Sequence, residues 1–263
     1  WHVTLFENCM ITGNQSNSSY GGLYSADGSI LDIRNSTVAF NLPLSGYDLF
    51  AYGGLYLKNS IVKGKAYTRT DRTVTVDYSC TSDDFSLKGI GNISVDPKLN
   101  PKGWLTASSP CIDTGTATGA PATDIQNEFR PFGTGIDMGC DEFADTDVDG
   151  LPDWFELAAG GNLAPSDDPD NDGMTCLQEY ESGLSSTTLD TDSDGMTDAY
   201  EIAEGYDPAN YTKIYYVDCM RPNDSGDGLT LATAKKTIWA AINTVVKNGM
   251  EYVILAEIGR AHV

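Results

Sequence analysis

Three segments of the chain share one spacing of aspartates, a glycine and a glutamate. In a twelve-residue frame, aspartates occupy positions 1, 3 and 5, glycine occupies position 6, and glutamate occupies position 12. The three frames cover residues 145–156, 168–179 and 190–201. Carboxylates at alternate positions of a tightly curled segment point toward one centre, so this spacing predicts a site for a hard cation in each frame.

The spacing is that of an EF-hand calcium loop. Calcium takes about six to eight oxygen ligands, and the glycine permits the turn through which position 7 offers its backbone carbonyl. We therefore predict about three Ca2+ sites. The candidate ligands are Asp145, Asp147, Asp149, Leu151, Asp153 and Glu156 in loop 1, Asp168, Asp170, Asp172, Met174 and Glu179 in loop 2, and Asp190, Asp192, Asp194, Met196, Asp198 and Glu201 in loop 3.

Loop 2 differs from the other two loops at position 9, where Cys176 replaces the aspartate. A thiol is a soft ligand that calcium does not bind, although position 9 often acts through a water molecule. We therefore expect the middle site to be weaker rather than absent. An aspartate in place of Cys176 is expected to tighten it.

The alternative interpretation of this region is an acidic, solvated linker. Residues 141–210 contain 20 acidic residues and no Lys, Arg or His. Composition alone does not easily place glycine at position 6 and glutamate at position 12 in three copies, so the pattern favours metal loops. A short amphipathic segment follows each loop, which predicts short helices that end at Gly160, Gly183 and Gly205.

No helix-forming run precedes any of the loops, so the pattern does not predict the paired EF-hands of calcium sensors. Residues 144–210 instead resemble the thrombospondin type 3-like calcium repeats of bacterial proteins. Dockerin is a near relative, but it usually carries aspartate at position 12 and only two copies. The resemblance implies an affinity matched to extracellular millimolar calcium, and hence an extracellular, secreted or cell-surface location.

A second repeat is centred on Asn8, Asn35 and Asn59, at offsets of 27 and 24 residues, which is typical of a solenoid. Apolar residues come into register on both sides of the asparagines, and a small Cys or Ser follows each one. The apolar alternation shifts parity at the asparagine, so the chain must bend there, and asparagine tolerates the left-handed conformation that such a bend needs. We expect stacked rungs over residues 1–77 with their asparagines aligned.

This repeat resembles the right-handed parallel β-helix of the pectate-lyase-like class. Residues 78–143 resemble the closing segment that follows β-helices in large bacterial secreted or surface proteins, in which Asp113, Asp124 and Asp137 would form turns and caps. Six cysteines are too few for a disulfide scaffold, so we expect mostly packed, free thiols. The alternative is one bridge among Cys80, Cys111 and Cys140.

Residues 211–257 resemble the start of a second β-helix, with a cap helix over Ala232 to Val246 and a strand over Tyr252 to Ala256. Residues 258–263 resemble a translated sequencing adapter and are left out of the fold prediction. The predicted fold is mainly β. It comprises the C-terminal coils of a right-handed parallel β-helix with its closing segment (1–143), a module of calcium loops and short helices (144–210), and the cap helix and first strand of a second β-helix (211–257).

Charge and composition exclude several classes of function. The formal net charge of −22 is concentrated in residues 141–210, since the rest of the chain carries 18 acidic and 16 basic residues. No basic stripe is present to meet phosphates, so no nucleic acid partner is predicted. No apolar run approaches the length of a membrane span. The only histidines are His2 and His262, so no histidine base and no zinc cluster is predicted.

Two functions fit these patterns. The first is a calcium-rigidified spacer between β-helix modules of an extracellular structural, adhesion or carbohydrate-binding protein, with a polysaccharide or cell-surface ligand as a further partner. The alternative is part of a polysaccharide lyase or glycoside hydrolase of the β-helix class, whose active site lies outside this chain. No catalytic residue is assigned, although the resemblance implies a basic proton acceptor, for which Lys58, Lys63, Lys65 and Arg69 are candidates.

Overall fold

The computed structural model describes residues 2–17, 20–43, 46–82, 88–211, 213–246 and 252–257. Over these residues the chain is mainly β, with parallel sheets and few helices. It forms two compact units. Unit 1 comprises Trp1–Asp167 and Thr175–Gly183, and unit 2 comprises Asp168–Met174 and Leu184–Val263. The predicted boundaries at residues 143 and 210 stay predictions, and the segment 258–263 lies outside the described residues.

Unit 1 is built from short parallel strands that recur along the chain. The strands are β1 (His2–Glu7), β2 (Met10–Thr12), β3 (Gln15–Ser16), β4 (Tyr20–Ser25), β5 (Ser29–Arg34), β6 (Thr37–Ala39), β7 (Leu42–Pro43), β8 (Tyr47–Ala51), β9 (Gly54–Lys58), β10 (Ile61–Lys63), β11 (Ala66–Thr68), β12 (Val74–Asp77) and β13 (Cys80–Thr81). Their sheets have the orders β1-β5-β9-β12, β13-β10-β6-β2, β11-β8-β4 and β3-β7. Successive passes of the chain thus extend the same sheets in the same sequence, which is compatible with a β-helix-like fold.

The space between these sheets is filled by the apolar positions that the repeat predicts. Leu31 and Ile33 on β5 pair in register with Leu55 and Leu57 on β9, and all four side chains are buried. Burial of such a side chain contributes about 1.5–3 kcal/mol. The core of the coil consists of Leu31, Ile33, Val38, Leu49, Ala51, Leu55, Leu57, Val62 and Val76.

The asparagine bends have the predicted backbone conformation. Asn8, Asn35 and Asn59 have φ values of +56°, +41° and +47°. The side chains align only in part, since Asn59 Nδ2 donates to Asn35 Oδ1 at 3.0 Å whereas Asn8 Nδ2 donates to the carbonyl of Thr123 at 3.3 Å. Asn59 also exchanges two hydrogen bonds with the backbone of Thr116, at 2.7 and 2.8 Å. These two hydrogen bonds attach the segment that contains Thr116 to the coil at this bend.

A column of serines stands beside the asparagines. The backbone N–H of Ser36 donates to Ser60 Oγ at 3.3 Å, and that of Ser60 donates to Ser79 Oγ at 3.2 Å. Each of the three hydroxyls donates in turn to the carbonyl two residues earlier. A hydroxyl can donate and accept at once, so one serine satisfies backbone groups on two coils. The sequence had indicated only that this position is small.

The three aspartates predicted to form turns and caps in residues 78–143 accept hydrogen bonds from the backbone, while the assignment of these residues as a closing segment stays a prediction. Asp113 Oδ1 accepts hydrogen bonds from the backbone of Thr134 and Gly135, at 2.8 and 2.6 Å. Asp137 accepts from the backbone of Asp113 at 2.7 Å and of Phe143 at 2.8 Å. Asp124 serves the backbone of Gln126, Glu128 and Glu142 in the same way. These carboxylates therefore replace regular strand pairing as partners of the backbone.

A buried ion pair that the sequence did not reveal lies inside this segment. Arg130 Nη1 is 3.1 Å from Glu142 Oε2, and both side chains are inaccessible to solvent. The guanidinium also donates to the carbonyl of Gly139 at 3.2 Å, and Glu142 Oε1 accepts from the backbone of Phe132 at 2.8 Å. These bonds offset the cost of desolvating the two charges, so loss of one partner should destabilise the fold by about 3–5 kcal/mol.

Three further carboxylates of the closing segment lie together, and none of them forms an ion pair with a described residue. Oxygens of Asp124, Glu128 and Asp141 lie within 4.8 Å of one another, and Asp124 and Asp141 are buried. Burial raises the pKa of Glu128 to about 7, and the charges of Asp124, Asp153 and Glu142 contribute to the increase. Burial likewise raises the pKa of Asp141 well above its ordinary value. Protons therefore stabilise this group at pH values where exposed carboxylates are ionised.

Two short helices pack on the closing segment within unit 1. They are α1 (Asp153–Ala158) and α2 (Cys176–Ser182). Phe155 and Tyr180 enter the same cluster as Leu105, and the Tyr180 hydroxyl donates to the carbonyl of Leu105. The helices are too short to be stable alone, so this packing rather than helix propensity stabilises them.

Unit 2 contains α3 (Asp198–Glu204), β14 (Lys213–Asp218), α4 (Ile238–Val246) and β15 (Tyr252–Glu257). β14 and β15 pair in parallel. The predicted cap helix begins six residues later than the sequence suggested, because Lys235 pairs instead with the backbone of Tyr216 and Asp218 at 2.9 and 2.8 Å. Over the described residues, the longest helix has nine residues, and no helix has the length and apolar character needed to cross a bilayer.

Replacing Asn59 by alanine should destabilise unit 1 by about 2–4 kcal/mol, because one buried and two partly buried hydrogen bonds are lost and alanine resists the positive φ. Urea denaturation of Asn59→Ala, with Asn8→Ala as the matched control at about 1 kcal/mol, measures the effect. Asn59→Gly restores the backbone freedom alone and should recover part of the loss. Equal losses for Asn59→Ala and Asn8→Ala would contradict this account of the bend.

Rising pH should destabilise unit 1 through Glu128. Its folded-state pKa of about 7 exceeds the usual 4.5, so the folded protein holds a proton that the unfolded chain releases. The free energy of unfolding should therefore fall as the pH rises from about 4.5 to about 7. Glu128→Gln should reduce this slope in denaturation curves recorded at several pH values. Glu181→Gln, at an exposed carboxylate, should not; the same slope in all three proteins would refute the assignment.

Candidate metal sites

The structure brings the first three acidic positions of each predicted loop together. In each loop, one carboxylate oxygen from each aspartate lies within 4.8 Å of the others, so each trio could hold a metal ion. Loop 1 lies wholly in unit 1 and loop 3 wholly in unit 2. The trios are Asp145, Asp147 and Asp149; Asp168, Asp170 and Asp172; and Asp190, Asp192 and Asp194.

The aspartate at position 1 organises the curl of each loop. It accepts a hydrogen bond from the backbone N–H of the glycine at position 6. The distances are 2.9 Å for Gly150 to Asp145, 3.2 Å for Gly173 to Asp168 and 2.9 Å for Gly195 to Asp190. The glycines have φ of +102°, +102° and +96°, which side chains with a Cβ rarely adopt. The glycine is therefore required by the turn itself.

Position 4 is also left-handed in all three loops. Val148, Asn171 and Ser193 each have φ of +62°. Asparagine tolerates this conformation, whereas a β-branched side chain such as that of Val148 is strained in it. Val148 is 85% exposed, so no packing compensates for the strain. Loop 1 therefore carries a local conformational cost that loop 2 avoids.

The aspartate at position 5 of each loop is hydrogen-bonded to the backbone of the buried residue at position 7. Its Oδ1 accepts the backbone N–H of position 7, at 2.9 Å in loop 1, 2.6 Å in loop 2 and 2.8 Å in loop 3. The side chains at position 7, which are Leu151, Met174 and Met196, are buried. Apolar packing thus fixes the residue whose carbonyl is the predicted ligand, while that ligand role itself stays a prediction.

The glutamate at position 12 of loop 3 is buried and has no hydrogen-bond partner for its carboxylate among the described residues. Glu201 is 0% exposed, and neither of its carboxylate oxygens has a hydrogen-bond partner among the described residues. Asp192 Oδ2 of the same loop is likewise buried and without a partner in that part of the chain. An unpaired buried carboxylate is costly unless a cation or a proton compensates its charge.

The other two glutamates at position 12 are also withdrawn from solvent. Glu156 is buried, and its Oε1 accepts the backbone N–H of Leu163 at 3.0 Å. Its role as a ligand of loop 1 stays a prediction. Glu179 is buried within unit 1. Its assignment as the twelfth ligand of loop 2 stays a prediction from the spacing.

Position 9 has a structural partner in loops 1 and 3. Both oxygens of Asp153 accept from Thr146, at 2.8 Å from its N–H and 2.6 Å from its hydroxyl. Asp198 binds Thr191 at the same two distances. Position 9 therefore braces position 2 across the loop. The proposed role of Asp153 and Asp198 as calcium ligands stays a prediction.

This brace changes the expectation for loop 2. Cys176 is fully buried in the apolar cluster of unit 1, so an aspartate there would bury a carboxylate. Position 2 of loop 2 is Pro169, which has neither an N–H nor a hydroxyl to donate. An aspartate at 176 is thus expected to destabilise the fold rather than to tighten the site. The ground for a weaker middle site is accordingly the missing brace.

The electrostatics of the loops oppose closure without a cation. Burial, followed by the charges of Asp194, Asp192, Asp198 and Asp190, raises the pKa of Glu201 to about 7. The pKa of the aspartate at position 3 is raised in each loop by loss of hydration and by the adjacent carboxylates. A divalent cation would relieve both the repulsion and the desolvation cost.

The basic residues considered for a lyase do not form one group. Lys63 pairs with Asp96 at 3.3 Å, and Arg69 pairs with Asp71 at 2.6 Å while stacking over the ring of Tyr52. Lys65 supplies a backbone carbonyl to the N–H of Asp48. Two of them line separate open cavities. Lys58 lines one of about 310 Å3 together with Asp32, Arg34, Tyr56, Leu57, Thr75, Asp77 and Gly119. Lys63 lines one of about 340 Å3 together with Ser82, Ser94, Val95, Asp96 and Pro97.

Comparison with known proteins adds no assignment to this geometry. No protein-family model, no curated protein and no solved structure matches the chain.

Proposed function

We propose that this chain binds calcium in loops 1, 2 and 3, and that calcium orders residues 144–210 as a spacer between β-helix modules of an extracellular structural, adhesion or carbohydrate-binding protein. The observation that carries the proposal is Glu201, whose fully buried carboxylate has no hydrogen-bond partner among the described residues and whose pKa is raised by burial and by the charges of the loop 3 aspartates. A cation at the centre of this loop would satisfy it.

The donor set favours calcium over other metals. Each loop offers carboxylate oxygens and a backbone carbonyl, which are the ligands of hard cations. Magnesium demands a smaller, near-octahedral shell and retains several waters, whereas a flexible twelve-residue loop with a terminal glutamate suits the larger ion. With a dissociation constant of about 0.1 mM and millimolar calcium, each site would contribute roughly 1.4 kcal/mol or more to stability.

The spacer role rests on the elements at either end of the acidic region. Unit 1 has the repeating parallel sheets of a coil and a closing segment, and unit 2 pairs β14 with β15 in parallel. The acidic region carries no basic residue that could neutralise it, so a cation is its available counter-charge. Extracellular placement and a carbohydrate or cell-surface ligand follow from the resemblance and are part of the proposal.

One observation favours the alternative function. The cavity beside Lys58 gathers Asp32 and Asp77 on the outer face of a parallel sheet, which is a suitable surface for a polysaccharide. Arg34 also lines this cavity, and its guanidinium donates two hydrogen bonds to Asp32, at 2.8 and 2.6 Å. Release of unsaturated products from pectin-like polymers by a longer form of the protein would favour the lyase.

Calcium titration followed by NMR should show three separately titrating glycine amides. Gly150, Gly173 and Gly195 each donate to the first aspartate of their own loop, so each amide reports one site. Glu201→Gln should raise the calcium concentration at the midpoint of the Gly195 titration roughly ten-fold or more, because the glutamate supplies two oxygens to the shell. Glu204→Gln, at an exposed carboxylate of the same helix, is the matched control and should change nothing.

Titration of no glycine, or of one alone, would overturn the proposal. An unchanged Gly195 curve in Glu201→Gln would exclude Glu201 as a ligand. Circular dichroism before and after EGTA supplies a second readout, since removal of calcium should loosen residues 144–210 through repulsion among the carboxylates.

Loops 2 and 3 should bind calcium cooperatively. Asp172 Oδ2 accepts the backbone N–H of Ala199 at 3.1 Å, and Ala199 lies in the first turn of α3, which carries Glu201. An ion in loop 3 orders this turn and so presents the N–H to Asp172, and the effect is reciprocal. Asp190→Asn should therefore raise the calcium concentration at the midpoint of the Gly173 titration roughly five-fold or more. Asp145→Asn in loop 1 is the matched control, and equal Gly173 curves in the two variants would disprove the coupling.

A further inference from the structure

Outward-facing side chains of three neighbouring strands line the cavity that contains Lys58. The strands are β5, β9 and β12, and they pair in parallel. Their buried apolar residues point into the coil, so the alternate side chains point outward. The pairing places the outward side chains in two rows across the strands. One row consists of Asp32, Tyr56 and Thr75, and the other consists of Arg34, Lys58 and Asp77.

Residues 78–143 supply a further part of the cavity wall. Gly119 lines the cavity with the two rows, and a Cβ on this glycine would lie 3.8 Å from Lys58 Nζ. The cavity has a volume of about 310 Å3. Pockets for small molecules span about 300–1,000 Å3, so this one suits a ligand the size of a single ring.

The charges that line the cavity differ in how they are compensated. Arg34 donates to both oxygens of Asp32, so these two charges are paired. Lys58 and Asp77 face each other in register but form no ion pair, and Lys58 Nζ has no hydrogen-bond partner among the described residues. Asp77 Oδ1 accepts the backbone N–H of Ile90 at 2.9 Å. The ammonium of Lys58 is therefore the group in this cavity that is open to an anion.

Tyr56 provides an apolar surface at the centre of the cavity. It is the middle residue of its row, and it is 37% exposed. An aromatic ring of this kind offers a flat apolar face beside a polar hydroxyl. A pocket that combines such a face with a few placed polar groups fixes the orientation of its ligand. A sugar ring has the complementary parts, since it carries C–H groups on its faces and hydroxyls around its edge.

We propose that this cavity binds one acidic sugar unit, a pyranose ring that bears a carboxylate. The carboxylate pairs with Lys58, the ring lies against Tyr56, and the hydroxyls bond to Asp77 and Thr75. This site gives a ligand class to the carbohydrate-binding role in the proposed function and rests on that role. It does not depend on calcium in the three loops, because none of its residues belongs to them.

The open ammonium of Lys58 decides between an acidic and a neutral sugar. A lysine ammonium is a compact, strongly hydrated charge, and Lys58 is half-buried. A ligand that displaces its water must replace those hydrogen bonds, and a bond to an ionised acceptor is about twice as strong as one to a neutral acceptor. A simple anion would satisfy Lys58 but would leave Tyr56 and Thr75 without a contact. An acidic sugar uses all three.

Methyl β-D-glucuronide and methyl β-D-glucoside test the proposal, because they differ only in carrying a carboxylate or a hydroxymethyl group at one carbon. In NMR titrations of the full chain with calcium present, the glucuronide should shift the amide signals of Tyr56, Thr75 and Gly119 with a midpoint at about millimolar concentration. The glucoside should need roughly ten-fold more.

A charge-removing variant identifies the group that selects the acid. Lys58→Gln should raise the glucuronide midpoint roughly ten-fold and leave the glucoside midpoint unchanged, because glutamine retains a polar side chain but carries no charge. Lys65→Gln is the matched control and should change neither midpoint, since Lys65 is exposed and does not line this cavity.

Equal midpoints for the two sugars, or an unchanged glucuronide midpoint in Lys58→Gln, would overturn the proposal. The same shifts from sodium acetate at equal concentration would also overturn it, since they would show an anion site without sugar recognition. The amides of Gly150, Gly173 and Gly195 report calcium binding in the same sample. If they respond to calcium while the glucuronide shifts no signal, the sugar site is refuted and the calcium sites stand.

Discussion

Register between successive coils is the constraint on which the rest of unit 1 depends. Parallel pairing needs each coil to repeat the path of the previous one, and backbones then approach so closely that some positions admit no side chain. A Cβ on Gly53 would lie 1.9 Å from the carbonyl oxygen of Ser29. The bends at Asn35 and Asn59 keep this register, and the closing segment takes its own position from it, since Thr116 bonds the side chain of Asn59.

The protein accommodates carboxylates that are withdrawn from water in three ways. Glu142 is paired with the guanidinium of Arg130, and burial among other carboxylates raises the pKa of Glu128 to about 7. The pKa of Glu201 is likewise raised to about 7, but neither of its carboxylate oxygens has a hydrogen-bond partner among the described residues. Neither of the first two depends on a dissolved metal ion. Under the proposed function, the third would make the order of a segment conditional on a dissolved ion, which separates a permanent structural element from one that responds to its surroundings.

The parts of this structure that could be predicted from the sequence are those whose causes are local. The left-handed bends, the glycine turns and the short helices each follow from residue types within a few positions, as at Asn59 and Gly150. The pairing of Arg130 with Glu142 could not be predicted, because it joins residues twelve apart inside an irregular segment with no periodic pattern. The start of α4 was misplaced for a related reason, since a strand-like pairing of Lys235 prevailed over helical periodicity.

The brace between positions 2 and 9 has a consequence for how such loops change over time. The brace pairs Thr146 with Asp153 in loop 1 and Thr191 with Asp198 in loop 3. Loop 2 has neither residue type, since Pro169 and Cys176 occupy the two positions. A substitution at only one of the two positions would leave the residue at the other position without its hydrogen-bond partner. The two positions are therefore expected to covary across related repeats, so that a search profile scoring them jointly should separate braced loops from unbraced ones more sharply than one that scores each column alone.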